Sequence, residues 1–231
     1  MEEKINRLYS DFHAQRLGAH CYPNEFLVRT MLGKYPELKI SHEYQGKKVL
    51  DWACGDGRNI LLLHNCGLSV SAFEITEEIC TGVEERMQQL YNIPIDIRVG
   101  RNNKVPFADN SFDYIVASSS IYYVDHNSNF NENYDELCRV LKTGGYIIMT
   151  LSRSDNFILK DCVKWQDKEG HYQITNDPYG LRNGDIFRVW QNEEEIRETF
   201  SKDFGDICIG KTVEDYYGMH IALWLVVMRK I

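Results

Sequence analysis

The sequence predicts an α/β fold, a doubly wound, mostly parallel sheet of seven strands with an antiparallel C-terminal strand and helices on both faces. Three observations carry this prediction. From about Lys47 onward, short apolar runs alternate with stretches of helical period, the pattern of βα units. The first run closes on an acidic residue and a glycine-broken turn that leads directly into an apolar helix. The second closes on another acidic residue, Glu74, 23 positions after Asp51.

Each element follows in order. KKVLDWA is the first strand; Gly55 and Gly57 break it, and Ile60, Leu61 and Leu63 start a helix that Gly67 ends. LSVSAFEI is the second strand. Thr76 then caps a helix whose Glu77 and Glu78 favour its dipole and whose Ile79, Val83, Met87 and Leu90 form the buried stripe. PIDIRVG is the third strand, and after the turn-rich RNNKVPFADNS, FDYIVASSS is the fourth. A helix with Tyr134, Leu137, Cys138 and Leu141 on one face stops at Thr143-Gly144-Gly145, and YIIMTLS is the fifth strand. Ser152 to Gly184, polar and aromatic, is read as an insertion over the sheet edge, with NDPYG (Asn176 to Gly180) as a turn. Asn192 caps a last helix with Ile196 and Phe200 inward, and DICIG and HIALWLVVM pair as antiparallel strands.

With 231 residues, 43% of them apolar, the chain is expected to be a single domain. It divides into an N-terminal part (1–46), a core (47–151), an insertion that caps the substrate (152–190) and a C-terminal helix with antiparallel strands (191–231). The longest apolar run, Ile221 to Met228, is far below the roughly 20 residues that span a bilayer, and MEEKINRLYS lacks a signal-peptide pattern, so a cytoplasmic protein without a membrane partner is expected. Seven scattered cysteines without a CxxC pair read as reduced thiols, with no disulfide framework and no metal site. A formal charge of -8 argues against nucleic acid, whose phosphates are held mainly by Lys and Arg. The expected partner is a small-molecule acceptor, and the expected assembly a monomer or homodimer.

VLDWACGDGRN places Asp51 at a strand end, followed by glycines that let a ligand lie against the backbone at a helix start. Glu74, ending the next strand, stands where a carboxylate holds both hydroxyls of a ribose. A dehydrogenase would carry a third glycine where Ile60 stands, so NAD is disfavoured.

These segments resemble the class I S-adenosylmethionine-dependent methyltransferases: VLDWACGDG and FEIT match VLDxGCGxG and its acidic strand-two end. GRNNKVPFADNSFDYIVASSSIYYV is similar to GDxxxLPFxDxSFDxV, and ELCRVLKTGGYIIM to the RVLKPGG helix-turn-strand, a likeness running from about Lys47 to Leu151. The resemblance implies a Rossmann-like fold, an N-terminal helical lid, S-adenosylmethionine as cofactor and S-adenosylhomocysteine as product. It implies Asp51 near the methionine amino group, Ala53, Gly55, Gly57 and Asn59 in the segment under the cofactor, Glu74 on the ribose and Ile75 against adenine. Ser118 and Ser119 would face the methionine part. Ala53 departs from the usual first glycine, and Arg101 stands where many members carry an aspartate that reads adenine, a task that passes to Asn102.

The lid stretch carries Tyr9, His13, His20, Tyr22 and Arg29; Arg29 would meet the cofactor carboxylate, and His20 or Tyr22 the acceptor, with Tyr22 also near the cofactor. Tyr122 and Tyr123, just after strand four, would line the methyl-transfer mouth, because ligands bind beyond the carboxyl ends of parallel strands. If the acceptor is a hydroxyl, a base must take its proton; His20, His126, Tyr122, Tyr123, Asp125, His171 and His220 are the candidates. The expected activity is O-methylation of a sugar, a capsule precursor or a secondary metabolite. N-methylation, a non-catalytic cofactor-binding subunit and an NAD-linked oxidoreductase are the alternatives.

Overall fold

The computed structural model describes residues 2–15, 20, 22–166 and 168–231; Cys21 lies outside them. Helices α1 (Glu2–Ala14) and α2 (Glu25–Leu32) precede β1 (Lys48–Asp51), α3 (Ile60–Asn65), β2 (Ser69–Glu74), α4 (Glu77–Tyr91) and β3 (Asp96–Val99). Then come β4 (Phe112–Ala117), β5 (Tyr123–Val124), α5 (Phe130–Val140) and β6 (Leu141–Arg153). After a 3₁₀ turn at Phe157–Leu159 follow β7 (Val163–Lys164), β8 (His171–Gln173), β9 (Ile186–Trp190), α6 (Glu193–Phe200), β10 (Phe204–Tyr216) and β11 (Met219–Lys230).

Strands β3, β2, β1, β4 and β6 are parallel neighbours in that order. β11 joins β6 antiparallel and β10 joins β11 antiparallel, so among these seven only β11 runs against the rest. The predicted seven strands are therefore present, but among the described residues the sheet has eleven. The last residues of β6, Ser152 and Arg153, also pair with β9, and β5, β7 and β8 complete a small antiparallel extension around β9. These four strands are two to five residues long, too short for a periodic signal in the sequence.

Alternation along the strands feeds two cores. Val49, Tyr114 and Ile148 face α2, α3 and α4 through Leu27, Leu63 and Val83. Leu50, Ile115 and Met149 face α5 and α6 through Leu137, Ile196 and Phe200. Thr76 Oγ1 accepts the Ile79 N–H at 3.3 Å, and Asn192 Oδ1 accepts the Glu195 N–H at 2.9 Å, so both expected caps form.

Two boundary readings need correction. Helix α5 stops at Val140 rather than at the glycines; Leu141 turns extended and is already strand, paired with Phe112. Gly144, at φ +80°, lies in the irregular stretch before Tyr146 pairs with Tyr114, so the glycines shift the register within β6 instead of ending a helix. Leu90 is 42% exposed, because α4 ends one residue later and its last turn outruns the packed face; Arg86 is buried there, donating to the Asp56 carbonyl. Among the described residues no helix is long and apolar enough to cross a membrane.

Candidate functional site

The turn after β1 is built from left-handed residues: Ala53 at φ +47°, Gly55 at +60° and Gly57 at +73°. For Ala53 this conformation costs roughly 1–2 kcal/mol, because its Cβ crowds the following carbonyl oxygen. The turn forms one wall of a cleft of about 1610 Å³, on which Ala53, Gly55, Asn59, Glu74, Ile75, Ser118 and Ser119 all lie. Gly57 does not. A Cβ there would stand 2.8 Å from Val83 Cγ1 and 3.0 Å from Ile60 Cδ1, so this glycine serves close packing on α4 rather than a ligand, correcting its placement under the cofactor.

Glu74 is buried, and its carboxylate accepts the Gly55 N–H through Oε1 and the Ile75 N–H through Oε2, each at 2.8 Å. Each oxygen keeps a further lone pair for a hydroxyl of a ligand. Asp51 is 1% exposed, sits behind the cleft wall, and its Oδ2 has no hydrogen-bond partner. Burial, Asp56 and Glu74 push its pKa well above the ordinary carboxylate range, and burial raises Glu74 as well. Three buried carboxylates, Asp51, Asp56 and Glu74, thus crowd the turn, and Asp56 is paired with Arg58 at 2.9 Å. A group raised in the folded state stabilises the fold below its ordinary pKa and loses that stability as pH rises. Asp51→Asn is accordingly expected to stabilise the ligand-free chain by about 1–2 kcal/mol at pH 8, with the gain fading by about pH 4. Urea unfolding at the two pH values checks this; equal gains at both would remove the charge as the cause.

Two polar links close the turn against β4. Asn59 Oδ1 accepts the Asn24 N–H at 3.2 Å, and Asn24 Nδ2 donates to Ser118 Oγ at 2.7 Å. Ser119, at φ +55°, donates its N–H to Thr150 Oγ1 at 2.8 Å. Helix α1 crosses the cleft: Ser10 Oγ lies 2.9 Å from Thr76 Oγ1, and the His13 ring would meet a Cβ on Gly55 at 3.0 Å.

Of the other expected residues, some border the cleft with their polar groups already engaged and some lie off it. Asn102 borders the cleft, but its Oδ1 accepts Trp52 Nε1–H at 2.7 Å and its Nδ2 donates to the Ser120 and Tyr123 carbonyls, both at 2.9 Å. Both donors of its side-chain amide are thus engaged in loop packing. Arg101, also on the cleft, pairs with Asp125 at 3.2 Å. Arg29 sits on the rim, mostly exposed and paired with Glu25 at 2.6 Å. His20 and Tyr22 are off the cleft: His20 Nδ1 lies 3.2 Å from the Tyr91 hydroxyl, and Tyr22 is 79% exposed. His171 is buried between the Glu169 carbonyl and the Phe130 N–H, where burial lowers its pKa, and His220 pairs with Asp155 at 3.6 Å; neither borders the cleft. His126 does, edge-on to Trp165 with ring centroids 5.3 Å apart.

In the far half of the cleft, Tyr9 and Tyr123, both named from the sequence, join three residues it did not single out, Asp177, Arg182 and Asp185. Tyr9 donates its hydroxyl to Asp185 Oδ2 at 2.7 Å, and Arg182 Nε donates to the Tyr123 hydroxyl at 3.0 Å. Behind them, fully buried Asp177 accepts the Arg182 N–H at 2.9 Å and its Nη1 at 3.4 Å. The Asn176–Gly180 stretch is indeed a turn, closed by Gly180 N–H to Asp177 O at 2.8 Å. Burial raises the pKa of Tyr9, Tyr122 and Tyr123, and pushes the Asp185 carboxyl up to about 6. Tyr122 stacks on Tyr123, with ring centroids 5.3 Å apart.

Residues 50–149 match a family described as "Methyltransferase domain". The chain is 28% identical over 145 residues to phthiotriol/phenolphthiotriol dimycocerosates methyltransferase 1 of Mycobacterium ulcerans, covering 60% of this chain and 48% of that protein. It thus spans about half the length of that relative. In fold it is similar to a SAM-dependent methyltransferase of Methanosarcina mazei, with a TM-score of 0.62 and 22% identity over 87% of this chain and 99% of that one. It is also similar to the (4+2)-cyclase SpnF, with a TM-score of 0.62 and 14% identity over 98% and 95% of the two chains.

Proposed function

We propose that this chain, whose residues 50–149 match a family described as "Methyltransferase domain", transfers a methyl group from S-adenosylmethionine to a hydroxyl of a small-molecule acceptor. One observation carries this reading: the acidic turn and the aromatic cap are two halves of a single cleft. Its volume of about 1610 Å³ exceeds the roughly 300–1,000 Å³ of a one-ligand pocket, leaving room for cofactor and acceptor together.

The residues present fit the cofactor. Gly55 borders the cleft with its N–H fixed on Glu74, and each Glu74 oxygen has a lone pair left for a ribose hydroxyl. When bound, the cofactor supplies a methyl group on a positively charged sulfur. The chain's own part is to hold donor and acceptor in line and to exclude water, which α1 and β9 favour by lining the cleft. The mycobacterial relative is named for triol substrates, which supports a hydroxyl acceptor.

Calorimetric titration with S-adenosylhomocysteine tests the cofactor half, with NAD as control. Micromolar binding of the first and silence with the second are expected. A folded chain that binds neither, or binds NAD alone, overturns the proposal.

A further inference from the structure

We infer that Tyr9 and Asp185 form the proton-accepting site of the cleft and that the acceptor they serve is a phenol. This rests on the methyl-transfer reading and narrows its acceptor.

Position comes first. Tyr9 lies one helical turn before His13 on α1, the two rings stacked with centroids 6.3 Å apart, and His13 abuts Gly55 of the acidic turn. Tyr9 therefore stands at the junction of the two halves, where donor and acceptor would meet. Its hydroxyl is held by Asp185 Oδ2 at 2.7 Å, and Asp185, 7% exposed, borders the same cleft. The ring of Tyr123, which follows strand β4, meets Tyr9 edge-on at 6.4 Å.

Chemistry comes second. The groups facing Asp185 are Tyr9 from α1, Tyr123 from β5, Asp125 from the loop after it, and Asp177 and Arg182 from the turn before β9. Arg182 directs its side-chain donors to Tyr123 and Asp177, so Asp185 is left with the Tyr9 hydroxyl and a burial that raises its pKa to about 6. Taking a proton from a phenol of pKa about 10 is then unfavourable by roughly ten-thousandfold. For an aliphatic alcohol, close to water's roughly 15.7, the factor is about 10¹⁰. A base of this strength suits the phenol. The walls agree: Tyr122, Tyr123, Phe187 and Trp165 present flat rings, with Phe187 and Tyr123 centroids 4.3 Å apart.

In the step, the acceptor's hydroxyl proton passes to the Tyr9 oxygen as the Tyr9 proton passes to Asp185 Oδ2. The electron pair of the broken O–H bond forms the bond from acceptor oxygen to methyl carbon, and the carbon–sulfur bond breaks with its pair left on sulfur. Asp185 returns the proton to solvent as product leaves, and Tyr9 ends neutral.

The test uses the full chain with radiolabelled S-adenosylmethionine, offering catechol and glucose in parallel. Label is expected in catechol and not in glucose, with kcat/KM rising through a midpoint near pH 6. Asp185→Asn and Tyr9→Phe are each expected to lower kcat by about 10²–10⁴-fold while binding S-adenosylhomocysteine as the wild type does, and Asp185→Asn to abolish the midpoint. A spectroscopic readout accompanies this: 4-nitrophenol bound to the S-adenosylhomocysteine-saturated chain should ionise at a higher pH in the wild type than in Asp185→Asn, because the carboxylate disfavours a phenolate beside it. Coincident ionisation midpoints, no bound nitrophenol, or label in glucose would overturn the inference while cofactor binding stands. Failure of S-adenosylhomocysteine to bind would instead overturn the reading beneath it.

Discussion

Replacing Glu74 with alanine is expected to weaken S-adenosylhomocysteine binding by about 10- to 150-fold, roughly 1.5–3 kcal/mol, the usual loss of a hydrogen bond to a charged group. Glu74 is the cleft-facing carboxylate whose two oxygens are fixed by the Gly55 and Ile75 N–H groups, so its orientation is set before any ligand arrives. Alanine removes the acceptor of a ligand hydroxyl and also leaves those two N–H groups without their partner. Against this stands relief of a buried charge, since burial already raises the Glu74 pKa. Glu74→Gln separates the two effects: one side-chain oxygen remains for the turn, while the charge is gone. Calorimetric titration of both variants is the check. Undiminished affinity in folded Glu74→Ala would sink the assignment of this residue to the ribose.

Arg182→Met should lower stability by about 2–4 kcal/mol, somewhat less than the 3–5 of a wholly broken buried pair, because Asp177 keeps the N–H groups of Tyr179 and Arg182. In a chain of this size that is a drop in thermal midpoint of roughly 5–15 °C. The methionine has similar bulk, so the loss is electrostatic. It strands the Asp177 carboxylate in the interior and removes the cation that draws the Asp185 pKa down. Asp185 already titrates near 6 in the fold against an ordinary 3.8, and losing Arg182 raises it further. A carboxyl raised on folding costs stability as pH climbs through its folded value, so the deficit should be larger at pH 8 than at pH 5. Thermal unfolding followed by circular dichroism at both values measures it; an unchanged midpoint at pH 8 would show that the cluster is not electrostatically coupled.

Residues differ in how far away their determinants lie. The Thr76 and Asn192 caps, the glycine turn and the strand-two carboxylate were legible because each signal sits within a few residues of what it specifies. Gly55 and Gly57 look alike in sequence, both with positive φ, yet one meets α1 across the cleft and the other packs on Val83 of α4. Asn102 is a ring reader by its position in the motif and a loop clamp by its neighbours, since Trp52 and Tyr123 arrive from 50 and 21 residues away. His20 and Tyr22 lie near the right segment, but that segment's chain turns them to solvent and to Tyr91.

The sequence by itself determined the fold class, the succession of the seven principal strands along the chain and the residue types of the acidic turn, because periodicity, caps and glycine breaks are local properties of a chain. Only the tertiary structure decided which side chains share the far half of the cleft. Tyr9 meets Asp185 across 176 residues and Arg182 meets Tyr123 across 59, joined by an α1 that folds over the sheet and a cap sheet of short strands. Contacts at such separation leave no periodic trace, since they depend on where distant elements pack and not on the residues beside them.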